Sequence, residues 1–444
     1  MVARPRGTRD FLPTAMRRRL AFEHILESVA TSHGFERVQT PIFESLDLFT
    51  AKSGPGVVGQ LYAFDDKGGR PLTLRPELTA PVMRMVAEEM RNQTKPLRLS
   101  YYGQCYRYEE FKKGRYREFF QYGVEIIGAT GPLAEAEIVA LALNMLTKAG
   151  LKHWQLRIGH VGILKSALAA IGLSDQTPAD GEAPLAAAMR FIDKGDHEGF
   201  EALLSKQKIS PTSAQPIFEL QQLDGGIETL TEAHRILSAI DGVDLAPIDD
   251  LKTTCDAISL LASVPPSLNV DLTVARGLDY YTGMVFEIHV PELGGEGQVL
   301  GGGSYKLMHL FGLEDLDPCC GFGLGFDRVL LALEAQAESE GRKEVVPGEL
   351  TSSPHIAVVP FNIDAKEVLT MVAELRRYGI RVDLEIRGRK IGKAMAWADS
   401  IGATYCCIVG PRDLEQGQLS VKNLNTGEQS TIAMDVDTVI EFIE

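Results

Sequence analysis

The sequence predicts an α+β chain of several domains, in which an antiparallel sheet core, a helical stretch and a separate α/β unit share one polypeptide. Three observations carry that expectation. Two strand pairs close on glycine-containing turns, over residues 62–75 and 102–128. Residues 165–261 become alanine- and leucine-rich and helical in composition. From His355 onward, strands and helices alternate at the spacing of a largely parallel or mixed sheet.

The 444 residues suffice for two to four domains, and a hydrophobic content of 45% is ample for real cores. No apolar run reaches the length of a membrane span, and the start, MVARPRGTRDFLP, lacks the apolar region of a signal peptide, so a cytoplasmic address is expected. Six cysteines show no CxxC spacing, and two pairs (Cys319-Cys320, Cys406-Cys407) are adjacent. Neighbours on a strand point to opposite faces, so these read as buried thiols rather than disulfides or metal claws. The net charge of −15 argues against indiscriminate nucleic-acid binding. It leaves room for an RNA partner met by local basic patches.

Taken in order, residues 4–10 are basic and irregular. A helix is expected from about Thr14 to Gly34, then a strand over 35–42 broken by Pro41. The DKGGR turn at 66–70 joins two short strands. Pro76 then ends the second strand before a helix from Thr79 or Ala80. Glu77 and Thr79 would suit a substrate ammonium, and Thr79 equally suits a helix N-cap.

In residues 102–128, YGQCYRYEEFKKGRYREFFQYGVEIIG, a turn near Lys113 puts Arg107, Glu109, Arg117, Phe119, Gln121 and Glu125 on one face. Tyr106, Tyr108, Phe120, Tyr122, Val124 and Ile126 fall on the other. Guanidinium groups fork onto phosphates and rings stack on bases, so the first face suits a nucleoside triphosphate; a solvated hairpin of interleaved charges is the alternative. Helix follows over 132–149 and strand over 155–158. Residues 269–290 read as strand, turn and strand around Arg276, Tyr280 and Tyr281. The run Gly301-Gly302-Gly303-Ser304-Tyr305 reads as a loop that cradles a phosphate or lets backbones approach. Residues 321–328 form a strand-to-helix junction with alternating glycines. A polar linker is expected over 341–353. Beyond it, Arg387-Gly388-Arg389-Lys390 with Lys393 is a basic cluster at a helix start, suited to phosphate or to solvent.

The wording of these stretches resembles the class II aminoacyl-tRNA synthetases. Arg107-Tyr108-Glu109, a basic loop and Arg115 four residues before Phe119 are similar to motif 2. The helix, strand and Pro41 resemble motif 1, and Gly325-Phe326-Asp327-Arg328 resembles motif 3, with aspartate where many relatives have glutamate. ARGLDYYTG at 275–283 closely resembles the histidine motif of the histidyl-tRNA synthetases. Ser304 and Lys306-Leu307 depart from the family, which more often has arginine before the tyrosine and Asp-Gly after it.

The resemblance implies a catalytic core over 1–164 and 262–340 of class II type, with an antiparallel sheet and flanking helices. It also implies a helical insertion domain over 165–261, a linker at 341–353 and an anticodon-binding domain over 354–444. It implies histidine activation with ATP and Mg²⁺, transfer to tRNA(His), a homodimer and no protein cage for a metal. Arg107, Arg276 and Arg328 would be catalytic. Arg107, Glu109, Arg115, Phe119 and Arg328 would take ATP. Glu77, Thr79, Arg107, Gln121, Glu125, Arg276, Tyr280 and Tyr281 would take histidine. Imidazole needs partners for two ring nitrogens, which Glu125 and Tyr281 can supply. A non-catalytic, histidine-sensing regulatory paralogue is the rival reading; intact arginines and residues 354–444 speak against it.

Overall fold

The computed structural model describes residues 2–53, 55–108, 115–178, 182–264, 266–273, 281–349 and 355–443. The chain divides into two units, Met1–Glu349 and Leu350–Glu444. The first begins with α1 (Pro13–Ser32), β1 (Glu36–Arg37), β2 (Phe43–Ser45), α2 (Leu46–Ser53), β3 (Tyr62–Asp65), β4 (Pro71–Leu74) and α3 (Thr79–Glu89). Next come β5 (Leu97–Tyr106), β6 (Glu118–Ile127), α4 (Pro132–Lys148), β7 (Gln155–His160) and α5 (Val161–Ala170). Five more helices follow: α6 (Pro184–Asp193), α7 (His197–Lys206), α8 (Pro211–Gln221), α9 (Glu228–Leu237) and α10 (Ala246–Leu261). The unit is completed by β8 (Leu268–Val270), β9 (Tyr281–His289), β10 (Gln298–Tyr305), β11 (Cys319–Gly325) and α11 (Phe326–Ser339).

Eight strands make the main sheet in the order β1-β5-β6-β11-β10-β9-β7-β8. Only the outer pairs, β1 with β5 and β7 with β8, are parallel; the pairings between them are antiparallel. The strand expected over 35–42 is reduced to two residues of β1, followed by one further bond from the Val38 amide to the Ser100 carbonyl at 2.9 Å. Its continuation, β2, joins β4 and β3 in a small separate sheet.

Side-chain alternation divides β6 between two environments. Tyr122, Val124 and Ile126 enter the main core with Phe22 and Leu26 of α1 and the buried face of α4. Helix α4 is apolar nearly all round, as a helix buried on several sides must be. On the opposite sheet face Leu99, Tyr101, Cys105 and Ile127 pack with Val82, Met83 and Val86 of α3 and with Tyr305 and Met308. That second core covers one end of the face and leaves its middle, around Phe119, Gln121 and Gly323, as the wall of a cleft.

The helical stretch does not form an isolated core. Leu164, Phe200, Ile217, Leu237 and Ile258 belong to the same apolar cluster as the main sheet. Residues 341–349, expected in the linker, also pack on the first unit. Val345 and Val346 are buried there, and Glu349 accepts from Arg18 Nε at 2.8 Å. The glycine run is no loop: Gly301–Tyr305 forms the body of β10. A Cβ at Gly302 would lie 2.3 Å from the Gly321 carbonyl oxygen, so close backbone approach is what these glycines serve. Both adjacent cysteine pairs split as alternation requires, Cys319 and Cys320 into different cores, and Cys406 and Cys407 likewise.

The second unit contains β12 (His355–Pro360), α12 (Lys366–Arg377), β13 (Arg381–Leu384), α13 (Ile391–Ser400), β14 (Tyr405–Val409), α14 (Pro411–Glu415), β15 (Gln418–Asn423), β16 (Gln429–Ala433) and α15 (Val436–Ile443). Its sheet order is β13-β12-β14-β15-β16, parallel across the first three strands and antiparallel across the rest. The sheet is mixed, as the alternation predicts. The short α14 is missing from the expected elements because five residues are too few for a helical period to register. Among the described residues no helix is long and apolar enough to cross a membrane.

Candidate active site

Two clefts, with volumes of about 770 and 990 Å³ counted out to their open mouths, lie side by side on the exposed face of the main sheet. They share Arg107, Gln121, Gln298, Gly301 and Gly323 and so form one trough.

The first cleft is cationic and aromatic. Arg107, Arg115 and Arg328 line it together with Tyr116, Phe119 and Phe120. The Arg107 guanidinium lies 5.2 Å from the Phe119 ring centre, and its Nε donates to the Pro76 carbonyl at 3.0 Å. Arg328, in the first turn of α11, donates to the Gln298 carbonyl at 2.7 Å, which fixes it over the sheet. Asp327 is the one carboxylate among the lining residues, and its charge is already engaged. Its Oδ1 accepts from Arg19 Nη1 at 2.6 Å and lies 2.8 Å from Arg9 Nη2; its Oδ2 accepts from the Phe120 amide at 2.8 Å.

The second cleft offers acceptors. Glu77, Thr79, Tyr101, Tyr281 and Glu287 line it with the shared residues. Glu77 also caps α3, Oε2 accepting from the Thr79 amide at 2.7 Å and Oε1 from the Ala80 amide at 3.2 Å. Thr79 is therefore the first helical residue rather than the cap, and its hydroxyl lies 3.2 Å from the Tyr101 hydroxyl. Negative charge at a helix N-terminus is favourable, so the Glu77 carboxylate at this position also steadies α3.

Glu125 sits deeper than expected and lines neither cleft. It is 1% exposed, and its oxygens accept from the hydroxyl of Tyr101 at 2.8 Å and from that of Tyr305. The register places it opposite Leu99 in mid-sheet, where side chains of the neighbouring strands reach it before solvent does. Burial pushes its carboxyl up to about 7, against the pull of the hydroxyls of Tyr305, Tyr101 and Thr79. Both tyrosine hydroxyls are pushed upward in turn, by burial and then by the Glu125 charge.

Of the expected residues, the fold brings together Glu77, Thr79, Arg107, Arg115, Phe119, Gln121, Tyr281 and Arg328 on the trough and places Glu125 beneath it. Glu109, Arg276 and Tyr280 lie outside the described residues. Arg117, expected on the face of Arg107, leaves the trough. Its guanidinium stacks 4.1 Å from the Tyr108 ring centre, and its amide donates to the Gly7 carbonyl at 2.9 Å.

Tyr101, Tyr305, Gln298 and Glu287 were not foreseen. Gln298 Nε2 donates to Glu287 Oε1 at 3.0 Å, linking the two clefts. Two strand glycines held the signal for Tyr101 and Glu125. A Cβ at Gly123 would meet the Tyr101 ring at 2.4 Å, and one at Gly321 would meet Glu125 Oε2 at 1.9 Å. A glycine inside a strand marks a side chain lying across it.

An antiparallel sheet carrying this arginine- and aromatic-lined trough, together with a mixed α/β unit, is the architecture of a class II aminoacyl-tRNA synthetase. Residues 7–329 match the family described as histidyl-tRNA synthetase, and residues 355–444 match the anticodon binding domain family. The histidine–tRNA ligase of Archaeoglobus fulgidus is 42% identical over 97% of both chains, and that of Methanocaldococcus jannaschii is 38% identical over 98% of both. Among solved structures, apo histidyl-tRNA synthetase of S. aureus is 30% identical, with a TM-score of 0.71 over 100% of both chains. Histidyl-tRNA synthetase from Nostoc sp. PCC 7120 shares the fold at 23% identity, with a TM-score of 0.77 over 99% of this chain and 98% of the other. The chain belongs to the histidyl-tRNA synthetase family.

Proposed function

We propose that this chain is a histidine–tRNA ligase, which joins L-histidine to AMP from ATP with release of pyrophosphate, then transfers histidine to the 3′ end of tRNA(His). One observation carries the reading: Arg107 stands where the cationic cleft meets the carboxylate-lined cleft. An attacking carboxylate and the α-phosphate must meet at such a point, and both are anions. Holding them in line there turns an encounter into a positioned reaction.

Phe119 stacks on adenine in this reading, and Arg115 and Arg328 hold the γ-phosphate. Glu77, Thr79 and Gln121 take the α-amino group; Tyr281 and Tyr280 close on imidazole. Glu125 acts through the hydroxyls of Tyr101 and Tyr305, fixing which way their donors point. Arg276 would pin the substrate carboxylate, and Glu109 would serve the adenine edge or Mg²⁺. Mg²⁺ supplies charge neutralisation on the phosphates.

A homodimer formed through the region of β2 belongs to the same reading, supported by the exposed Ile42, Phe43 and Phe64. A cytoplasmic location and an anticodon-contacting role for the second unit complete it.

The test is pyrophosphate exchange into ATP with each of the twenty amino acids supplied singly, followed by charging of tRNA(His). Exchange with histidine alone is the expected result. Histidine binding without exchange would refute the ligase and favour a regulatory paralogue. Glu125→Ala is expected to raise KM for histidine far more than KM for ATP; equal changes would remove Glu125 from the histidine site.

A further inference from the structure

The segment before α1 is bound into the nucleotide half of the trough by a cluster that the reaction as outlined leaves unused. Three anchors hold it. The Gly7 carbonyl accepts from the amides of Arg117 at 2.9 Å and Glu118 at 3.4 Å, just where β6 begins. The Arg9 guanidinium lies 3.5 Å from the ring centre of Tyr116, a wall of the cationic cleft. Its Nη2 lies 2.8 Å from Asp327 Oδ1, an ion pair without an aligned hydrogen bond.

Asp327 immediately precedes Arg328 and also receives Arg19, whose guanidinium is packed among the rings of Phe11, Phe120 and Phe326 at 4.1, 4.3 and 4.8 Å. Arg9 thus touches the turn side of the β6 hairpin through Tyr116 and the start of α11 through Asp327. Those two elements carry Arg115, Phe119 and Arg328.

We infer that Arg9 is a positioning residue for the nucleotide, a clamp that holds the Tyr116 wall and the Asp327-Arg328 helix start at one fixed separation. Charge and planarity are both needed. A cation satisfies Asp327, which otherwise shares a single partner side chain, Arg19, and a flat guanidinium covers the Tyr116 ring. Arg9 does not line either cleft, so its effect passes through residues that do. The inference rests on the ligase reading only in taking the cationic cleft as the ATP site.

The experiment uses the full chain with Arg9→Met, which keeps the aliphatic stem, and Arg9→Lys, which keeps the charge. KM for ATP and for histidine are measured separately by pyrophosphate exchange, with direct ATP binding by calorimetry. Arg9→Met is expected to raise KM and Kd for ATP about fivefold, the scale of one lost cation–π contact, with KM for histidine changed less than twofold. Arg9→Lys is expected to recover part of that loss. Arg4→Met serves as the control in the same segment, since Arg4 is exposed and pairs across the surface with Asp10 at 3.4 Å.

Unchanged ATP constants in Arg9→Met would overturn the clamp, as would equal losses for ATP and histidine or an equal ATP effect from Arg4→Met. If Arg9→Met does not fold, Arg9→Lys decides: ATP constants identical to the parent chain's would overturn the need for a planar guanidinium, and a selective rise for ATP would uphold it. A parent chain that gives no exchange refutes the ligase reading, while calorimetry with ATP still decides the clamp.

Discussion

Replacing Glu125 by glutamine turns the buried carboxyl beneath the trough into a thermodynamic test. In the folded chain burial lifts this group to about 7 from an ordinary value of 4.5. Between those values the folded state binds more protons than the unfolded one, so stability falls as pH rises. The sign is opposite to that of a salt-bridged carboxylate. The group costs nothing below its unfolded value, and the penalty is complete above about 7.

At about 1.36 kcal/mol per unit, the full penalty is about 3 kcal/mol, of which about 2 kcal/mol develops between pH 5.5 and pH 8. Glutamine stays neutral throughout. Its carbonyl can accept from Tyr101, and its amide can donate to the Tyr305 oxygen. Glu125→Gln should therefore gain about 2 kcal/mol relative to the parent chain over that pH interval.

The two tryptophans fall in different units, Trp154 in the first and Trp397 in the second. In a Trp397→Phe background, urea denaturation followed by Trp154 fluorescence reports the first unit. A stability difference between parent and variant that stays constant to within about 0.5 kcal/mol from pH 5.5 to 8 would refute the reasoning, because the carboxyl would then titrate alike in both states.

Three further outcomes are expected. Asp327→Ala leaves Arg19, only 4% exposed, without its carboxylate and the Phe120 amide without its acceptor; it should destabilise the first unit by about 3–5 kcal/mol, read by the same denaturation. Gly302→Ala puts a methyl 2.3 Å from the Gly321 carbonyl oxygen, forces β10 and β11 apart, and should cost about 3 kcal/mol or prevent folding; an unchanged Tm would contradict the close-approach account of the glycine run. Glu385→Ala removes the buried acceptor for the amides of Arg387 (2.8 Å) and Arg389 (3.0 Å) and for the Arg389 side chain. With that basic loop unheld, tRNA charging should fall about tenfold while pyrophosphate exchange stays within about twofold; parallel losses would separate the loop from RNA contact.

The β6 hairpin shows how far one-dimensional pattern reaches. Alternation put Phe119, Gln121 and Glu125 on one face and Tyr122, Val124 and Ile126 on the other, and the structure keeps that division. Depth along the face was not legible. Phe119 and Gln121 meet the cleft, whereas Glu125, at the same parity, is covered by tyrosines from β5 and β10. Arg117 lies one residue before β6; its carbonyl still accepts from the Arg107 amide, but its own amide donates to the Gly7 carbonyl and its guanidinium turns to the Tyr108 ring. The glycine run was open between loop and close approach because both need the same residue type. Only the neighbouring strands distinguish them. The stretch 341–349 looked like linker by its polarity, yet two valines and one paired glutamate suffice to anchor it.

Local chemistry written into the sequence therefore determined most of the element types, the two faces of β6, the division near residue 350, and the pairing of arginines with aromatics that suits a nucleotide. These depend on period, turn residues and side-chain type, all of which act over a few positions. The tertiary structure alone decided that Arg107 joins the two clefts, that Glu125 is held by tyrosines from two other strands, and that Asp327 ties the chain's first residues to α11. Those contacts link residues far apart in sequence, from 24 positions in the Tyr101–Glu125 pair to 318 in the Arg9–Asp327 pair. Such pairings are set by strand order and register, which no local pattern records.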